Sequence, residues 1–93
     1  MLYATEHAHQ EGVNMLTEYL QSAMRHAEYE DLGAEGWFVR IPGFEGLWAS
    51  GDTREDAQQE LRSTLEDWLL LGVRLGHRLP LTDGIDLNVL SVA

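Results

Sequence analysis

The sequence predicts an α+β domain with the element order α-β-β-β-α-β, and three observations predict it. A helical spacing of apolar residues begins at Met15, three short segments separated by glycine-rich turns follow, and a longer helical pattern begins after Asp52. A last segment, residues 85–89, alternates apolar and polar positions. Because the connections between the strands are short, we expect an antiparallel sheet of three to four strands with both helices on one face.

The first helix is predicted over residues 15–25, with Asn14 as its N-cap. Residues 1–14 show no sustained period, and we expect a flexible N-terminal lead in front of one domain spanning residues 15–93. The apolar positions of the helix fall on one face with i, i+3, i+4 and i+7 spacing: Leu16, Tyr19, Leu20, Ala23, Met24 and Ala27.

The three middle segments are predicted to be strands, at residues 27–32, 37–41 and 47–50. Gly33 and Gly36 border the first connection, and the turn after Pro42 contains two further glycines, which permit tight chain reversal. Large aromatic residues occur at both alternating parities of these strands, so the sequence leaves open which of them face away from the helices. We expect Phe38 and Trp48 to form a homodimer or homotetramer interface on the uncovered face.

The second helix has a capping-box pattern at its start, with Asp52 or Thr53 as the cap and an acid three residues later. Ala57, Leu61, Leu65 and Trp68 are predicted to form its inner stripe. Since apolar residues then occur on several sides up to Leu75, we expect the second half to be buried on more than one side. Gly72 is expected to admit another backbone, and Gly76 is expected to end the helix.

The composition favours protein partners over nucleic acid. The chain has 16 acidic residues against 6 basic ones, all arginine, for a net charge of −10. Such a surface is repelled by phosphate backbones and attracts basic proteins, although plain solubility explains the same charge. The chain has no cysteine, no apolar run near the ~20 residues that span a bilayer, and no signal-peptide pattern, so we expect a soluble cytoplasmic protein without cofactor or metal.

Residues from about 26 to 80 resemble the HicB antitoxin family. From Trp37 to Ala57 the chain reads WFVRIPGFEGLWASGDTREDA, which joins a strand, a proline-containing turn, a glycine before the next strand and a Gly-Asp-Thr-x-x-acid-Ala helix start. Trp68 and the exit after Leu79 follow in the same order. The resemblance implies a reduced RNase H-like fold and a partner, a small basic RNA-cleaving toxin of the HicA type whose active surface the antitoxin covers.

Four acids around the first hairpin, with no base among them, are the predicted toxin-facing residues: Glu28, Glu30, Asp31 and Glu35. A solvated hairpin tip is the alternative interpretation of this patch. HicB antitoxins often carry a further C-terminal DNA-binding domain. Only residues 81–93 follow Pro80, so we expect neither such a domain nor direct DNA binding by this chain.

Two other functions stay open from the sequence alone. One is a solitary self-assembling module with an unknown ligand. The other is a metal-dependent RNase H-like nuclease, for which Glu28, Glu30, Asp31 and Asp52 are candidate carboxylates. We expect no enzyme, because the sequence contains no His-carboxylate, Ser-His-Asp or phosphate-binding glycine motif.

Overall fold

The computed structural model describes residues 15–90, with side chains as far as Asn88. The predicted N-terminal lead and the Asn14 cap lie outside the described residues. The helices and strands are α1 (15–25), β1 (Glu28–Asp31), β2 (Trp37–Arg40), β3 (Trp48–Gly51) and α2 (Arg54–Leu75), with short 3-10 helices at Gly33–Glu35 and Leu87–Leu90.

The three strands form an antiparallel sheet in the order β1-β2-β3, which confirms the predicted meander. The register pairs Tyr29 with Val39 and Val39 with Ala49. Val39 and Ala49 are buried against α2, so we call their side of the sheet the inner face and the opposite side the outer face.

One apolar core joins the inner face to both helices. The predicted stripe of α2 is confirmed, with Ala57, Leu61 and Leu65 fully buried and Trp68 half-buried. From α1, Tyr19 packs its ring against Phe44 of the β2–β3 turn. Tyr19 also donates a hydrogen bond to the Pro80 carbonyl, and burial raises the pKa of its phenol to about 12. The core contains the following residues besides: Leu20, Ala23, Val39, Ile41, Leu47, Ala49, Leu69, Leu79 and Leu87.

The two ends of α2 follow the predicted capping chemistry. Thr53 is the N-cap, and its hydroxyl accepts a hydrogen bond of 3.0 Å from the Asp56 backbone N–H. Gly76 ends the helix in the left-handed conformation, and the next N–H, of His77, donates to the Gly72 carbonyl at 2.9 Å.

The prediction that the second half of α2 is buried on more than one side was wrong. Leu70 is 59% exposed, and Leu71, Val73 and Leu75 are also exposed. The reason is length: 22 helical residues extend about 33 Å, whereas a four-residue strand extends about 13 Å. Beyond the sheet, the described residues cover α2 on the side of Gly72 only, and a Leu79 side chain rather than a backbone approaches that glycine.

The predicted last strand at residues 85–89 was also wrong. Asp83 and Gly84 form the expected tight turn, with φ of 49° and 80°, but pairing stops at a single bridge between Thr82 and Ile85. The chain then enters the 3-10 helix Leu87–Leu90. An Asp86 carboxylate oxygen accepts the Asn88 backbone N–H at 2.9 Å, and this local hydrogen bond competes with a strand conformation.

Candidate functional site

The β1 edge of the sheet carries the acids that the sequence predicted as partner-binding. Within residues 15–90, β1 pairs with β2 alone, and Glu28, Glu30 and Asp31 on it are exposed. The register places Glu28 and Glu30 on the outer face and Asp31 on the inner face. Glu35 is exposed in the 3-10 helix that follows. We call these four residues the β1 acidic patch.

In the described part of the chain, most of the charge of the β1 acidic patch is unpaired. Glu28 forms an ion pair with Arg40 across the outer face, with 3.4 Å between Oε1 and Nη2. Asp31 accepts a hydrogen bond of 2.9 Å from the Gly33 backbone N–H, which shapes the turn. Within residues 15–90, no basic side chain forms an ion pair with the other three acids. Three exposed carboxylates therefore have no ion-pair partner among the described residues.

The outer face also carries a pair of aromatic residues. Phe38 and Trp48 stack with ring centroids 5.8 Å apart and an interplanar angle of 27°. Phe38 is half-buried, and Trp48 is 56% exposed. The sequence did not show which face of the sheet each ring occupies, because strand parity alone does not give the register. The pairing of Phe38 with Ser50 and of Arg40 with Trp48 puts both rings on the same, uncovered side.

The candidate nuclease carboxylates do not converge. Glu28 and Glu30 share the outer face, while Asp31 projects from the inner one. Asp52 follows β3, two strand spacings or about 10 Å from β1. Among residues 15–90, no three His, Asp or Glu side chains are grouped so that they could hold a metal ion.

Sequence reasoning missed a polar cluster that joins α1 to the turn at Asp83. The buried Ser22 hydroxyl lies 2.5 Å from Asp83 Oδ2 and 2.7 Å from the Thr82 hydroxyl. His26 and Arg25 contact the same carboxylate at 2.9 and 3.2 Å. The hydrogen bond from Ser22, then those from His26 and Arg25, lower the pKa of Asp83 to about 2. Ser22, Arg25 and His26 have i, i+3 and i+4 spacing at the end of α1, and this spacing was the available signal. Asp83 contacts all three side chains and therefore joins the end of α1 to the turn.

Asp83→Asn should lower the free energy of unfolding near neutral pH. It should also make that free energy depend less on pH in the acid range. The folded-state pKa of Asp83, about 2, lies below the ordinary value of 3.8, so its charge stabilises the fold above pH 3.8 and this contribution is lost as the pH falls to about 2. Asparagine tolerates the left-handed backbone at this position. Urea unfolding of the wild type and of Asp83→Asn at neutral and acid pH checks this prediction. The free energies of unfolding of the two proteins should become equal in acid. Asp67→Asn, at an exposed position on α2, is the control, and an equal effect there would contradict the assignment.

The described chain is thus a small α+β domain in which a charged strand edge and an aromatic outer face are left uncovered. Residues 18–80 match the UPF0150-like family. The protein belongs to this family, whose match covers all three strands, most of α1 and the whole of α2. No helix within residues 15–90 has the length and apolar character needed to cross a membrane.

A solved structure supports the same fold. The chain is similar to TTHA0281 from Thermus thermophilus, known from a crystal structure, with a TM-score of 0.72 and 34% sequence identity. The similarity covers 77% of this chain and 90% of that one. No curated protein matches the sequence. The predicted α+β class and the three-stranded antiparallel sheet are confirmed.

Proposed function

We propose that this protein is a HicB-type antitoxin, which binds a small basic RNA-cleaving toxin and covers its active surface. The observation that carries the proposal is the β1 acidic patch, in which Glu30, Asp31 and Glu35 have no described ion pair. Membership of the UPF0150-like family and the HicB-like stretch from Trp37 to Ala57 support it. On this proposal the protein acts in the cytoplasm by binding, without catalysis or cofactor.

The physical basis is complementary charge on an open strand edge. A protein that cleaves RNA must present a basic surface to phosphates, and an acidic surface that docks there competes with the substrate. The net charge of −10 increases the rate of encounter with such a partner at low salt. The outward backbone N–H and C=O groups of β1 offer a strand of the partner additional hydrogen bonds.

Charge reversal in the β1 acidic patch should weaken toxin binding about 10- to 100-fold. In the double variant Glu30→Arg/Glu35→Arg, two attractions to the toxin become repulsions. The expected weakening corresponds to a loss of about 1.4–2.8 kcal/mol in binding free energy. The matched control is Glu18→Arg/Glu60→Arg, which changes the net charge equally at exposed helix positions. Calorimetry with a purified small basic RNA-cleaving protein of the HicA type measures both affinities at two salt concentrations.

Growth rescue tests the same proposal in cells. Co-expression of this chain should restore growth that the toxin arrests, the patch variant should restore it less, and the control variant should restore it fully. Equal losses in both variants would show that only total charge matters. Absence of both rescue and complex formation would refute the antitoxin function itself.

A further inference from the structure

A cavity of about 550 Å³ lies beside the overhanging second half of α2. Its walls are α2 itself, the β2–β3 turn at residues 43–45 and the returning chain at residues 77–80. It forms because α2, with 22 residues, extends beyond the four-residue strands on which its first half packs. Cavities of about 300–1,000 Å³ with apolar walls and a few polar groups are typical of small-molecule sites.

Trp68 gives this cavity a fixed apolar wall. Its indole Nε1–H donates a hydrogen bond of 3.1 Å to the Glu45 carbonyl, and its ring centroid lies 5.3 Å from that of Phe44. Leu71 on the same helix and Leu79 on the returning chain extend the apolar surface. Because these contacts hold the indole in place beforehand, an apolar group that enters the cavity meets a preformed surface.

Arg78 brings a positive charge to the wall opposite the β2–β3 turn, and His77 lies beside it. Within residues 15–90, Arg78 forms no ion pair. Its charge acts on Asp86, but the carboxylate of Asp86 accepts two hydrogen bonds from Asn88, at 2.9 and 2.6 Å. The Arg78 guanidinium therefore has donors for a carboxylate from outside the chain, in the two-point geometry that arginine favours.

The other arginines show that this situation is specific to the end of α2. Arg74, near the C-terminal end of that helix, also has no ion pair among the described residues, but it does not line the cavity. The remaining four contact an acid or an aromatic ring: Arg25 with Asp83, Arg40 with Glu28, Arg62 with Glu66, and Arg54 over Tyr29.

We propose that this cavity binds a small organic monocarboxylate with an aromatic or aliphatic body. The body lies against Trp68 and Leu71, and the carboxylate accepts hydrogen bonds from Arg78. One negative charge suits the cavity better than two, because Glu45 lines the opposite wall. The net charge of −10 repels anions from the surface as a whole, so binding depends on this local cation. The cavity shares no residue with the β1 acidic patch, so the proposal holds whether or not the chain binds a toxin.

NMR titration of the full chain with 4-phenylbutyrate tests the proposal. The chain has three tryptophans, and the indole N–H signal that disappears in Trp68→Phe is that of Trp68. This signal should shift in a saturable way with a dissociation constant of about 0.1–1 mM, while the signals of Trp37 and Trp48 stay in place. The neutral analogue 4-phenylbutyramide should bind at least about 5-fold more weakly, because it lacks the charge that Arg78 contacts.

Arg78→Gln should weaken the binding of 4-phenylbutyrate at least about 5-fold. Arg74→Gln removes the same charge from an exposed position outside the cavity and should change the affinity less than about 2-fold. Equal losses in the two variants, or equal binding of the acid and the amide, overturn the proposal. So does a Trp68 signal that does not shift at concentrations up to about 10 mM.

Leu71→Glu tests the apolar wall independently of Arg78. Leu71 and Leu70 are both more than half exposed, so an acid at either position should leave the fold intact. Leu71→Glu introduces a negative charge into the cavity and should abolish the shift of the Trp68 signal. Leu70→Glu, at a position that does not line the cavity, is the matched control and should keep the affinity within about 2-fold. Unchanged binding in Leu71→Glu contradicts the assignment of the site.

Discussion

Replacing Gly36 with alanine should remove a large share of the folding stability of this protein. Gly36 has φ 91° and ψ −144°, in a region that residues with a side chain rarely enter, and forcing alanine there costs about 1–3 kcal/mol. An added Cβ would lie 2.4 Å from the Gly51 carbonyl oxygen, a backbone atom held in place by the start of α2. Overpacking of this kind costs about 1–3 kcal/mol more, against a total of about 5–15 kcal/mol for a small domain.

Gly43→Ala is the matched control for this prediction. Gly43 has a similar φ of 88°, but a Cβ there would meet no atom within 4 Å. Its replacement should cost the conformational strain alone, about 1–3 kcal/mol. Urea unfolding of both variants, followed by circular dichroism, separates strain from contact. Equal stability of the two variants would show that the β1–β2 turn moves away from Gly51 without cost.

The sequence predicted those features of the fold that local chemistry determines. The glycine-bordered turn at Gly33 and Gly36, the Thr53 cap and the Gly76 end of α2 each depend on a few neighbouring residues, and all three are present. The stripe of α2 was predictable because its helical period continues over several turns. The acidic patch was predictable as a set of residues, since exposed charge needs no partner to be recognised.

Features that depend on distant parts of the chain could not be predicted in this way. The shared face of Phe38 and Trp48 follows from the register between β2 and β3, which strand parity does not give. The hydrogen bonds of Ser22 with Thr82 and Asp83 join residues about sixty positions apart. The predicted last strand was wrong because the hydrogen bond from the Asn88 backbone N–H to the Asp86 carboxylate competes with a strand, and alternation at residues 85–89 does not reveal that bond.

Leu65→Ala should lower the free energy of unfolding by about 2–5 kcal/mol, because Leu65 is fully buried in the core between α2 and the sheet. Leu70→Ala should change it by less than about 0.5 kcal/mol, because Leu70 lies on the same helix but is 59% exposed. Alanine favours helix at least as well as leucine, so helix propensity does not produce this difference.

Chemical unfolding of Leu65→Ala and Leu70→Ala at two protein concentrations tests self-association as well as packing. If Leu70→Ala destabilises the protein strongly and the loss grows with concentration, the exposed leucines of α2 are buried between copies. A self-association surface would then lie on α2. If only Leu65→Ala lowers the stability, Leu70 contributes nothing to the fold or to self-association.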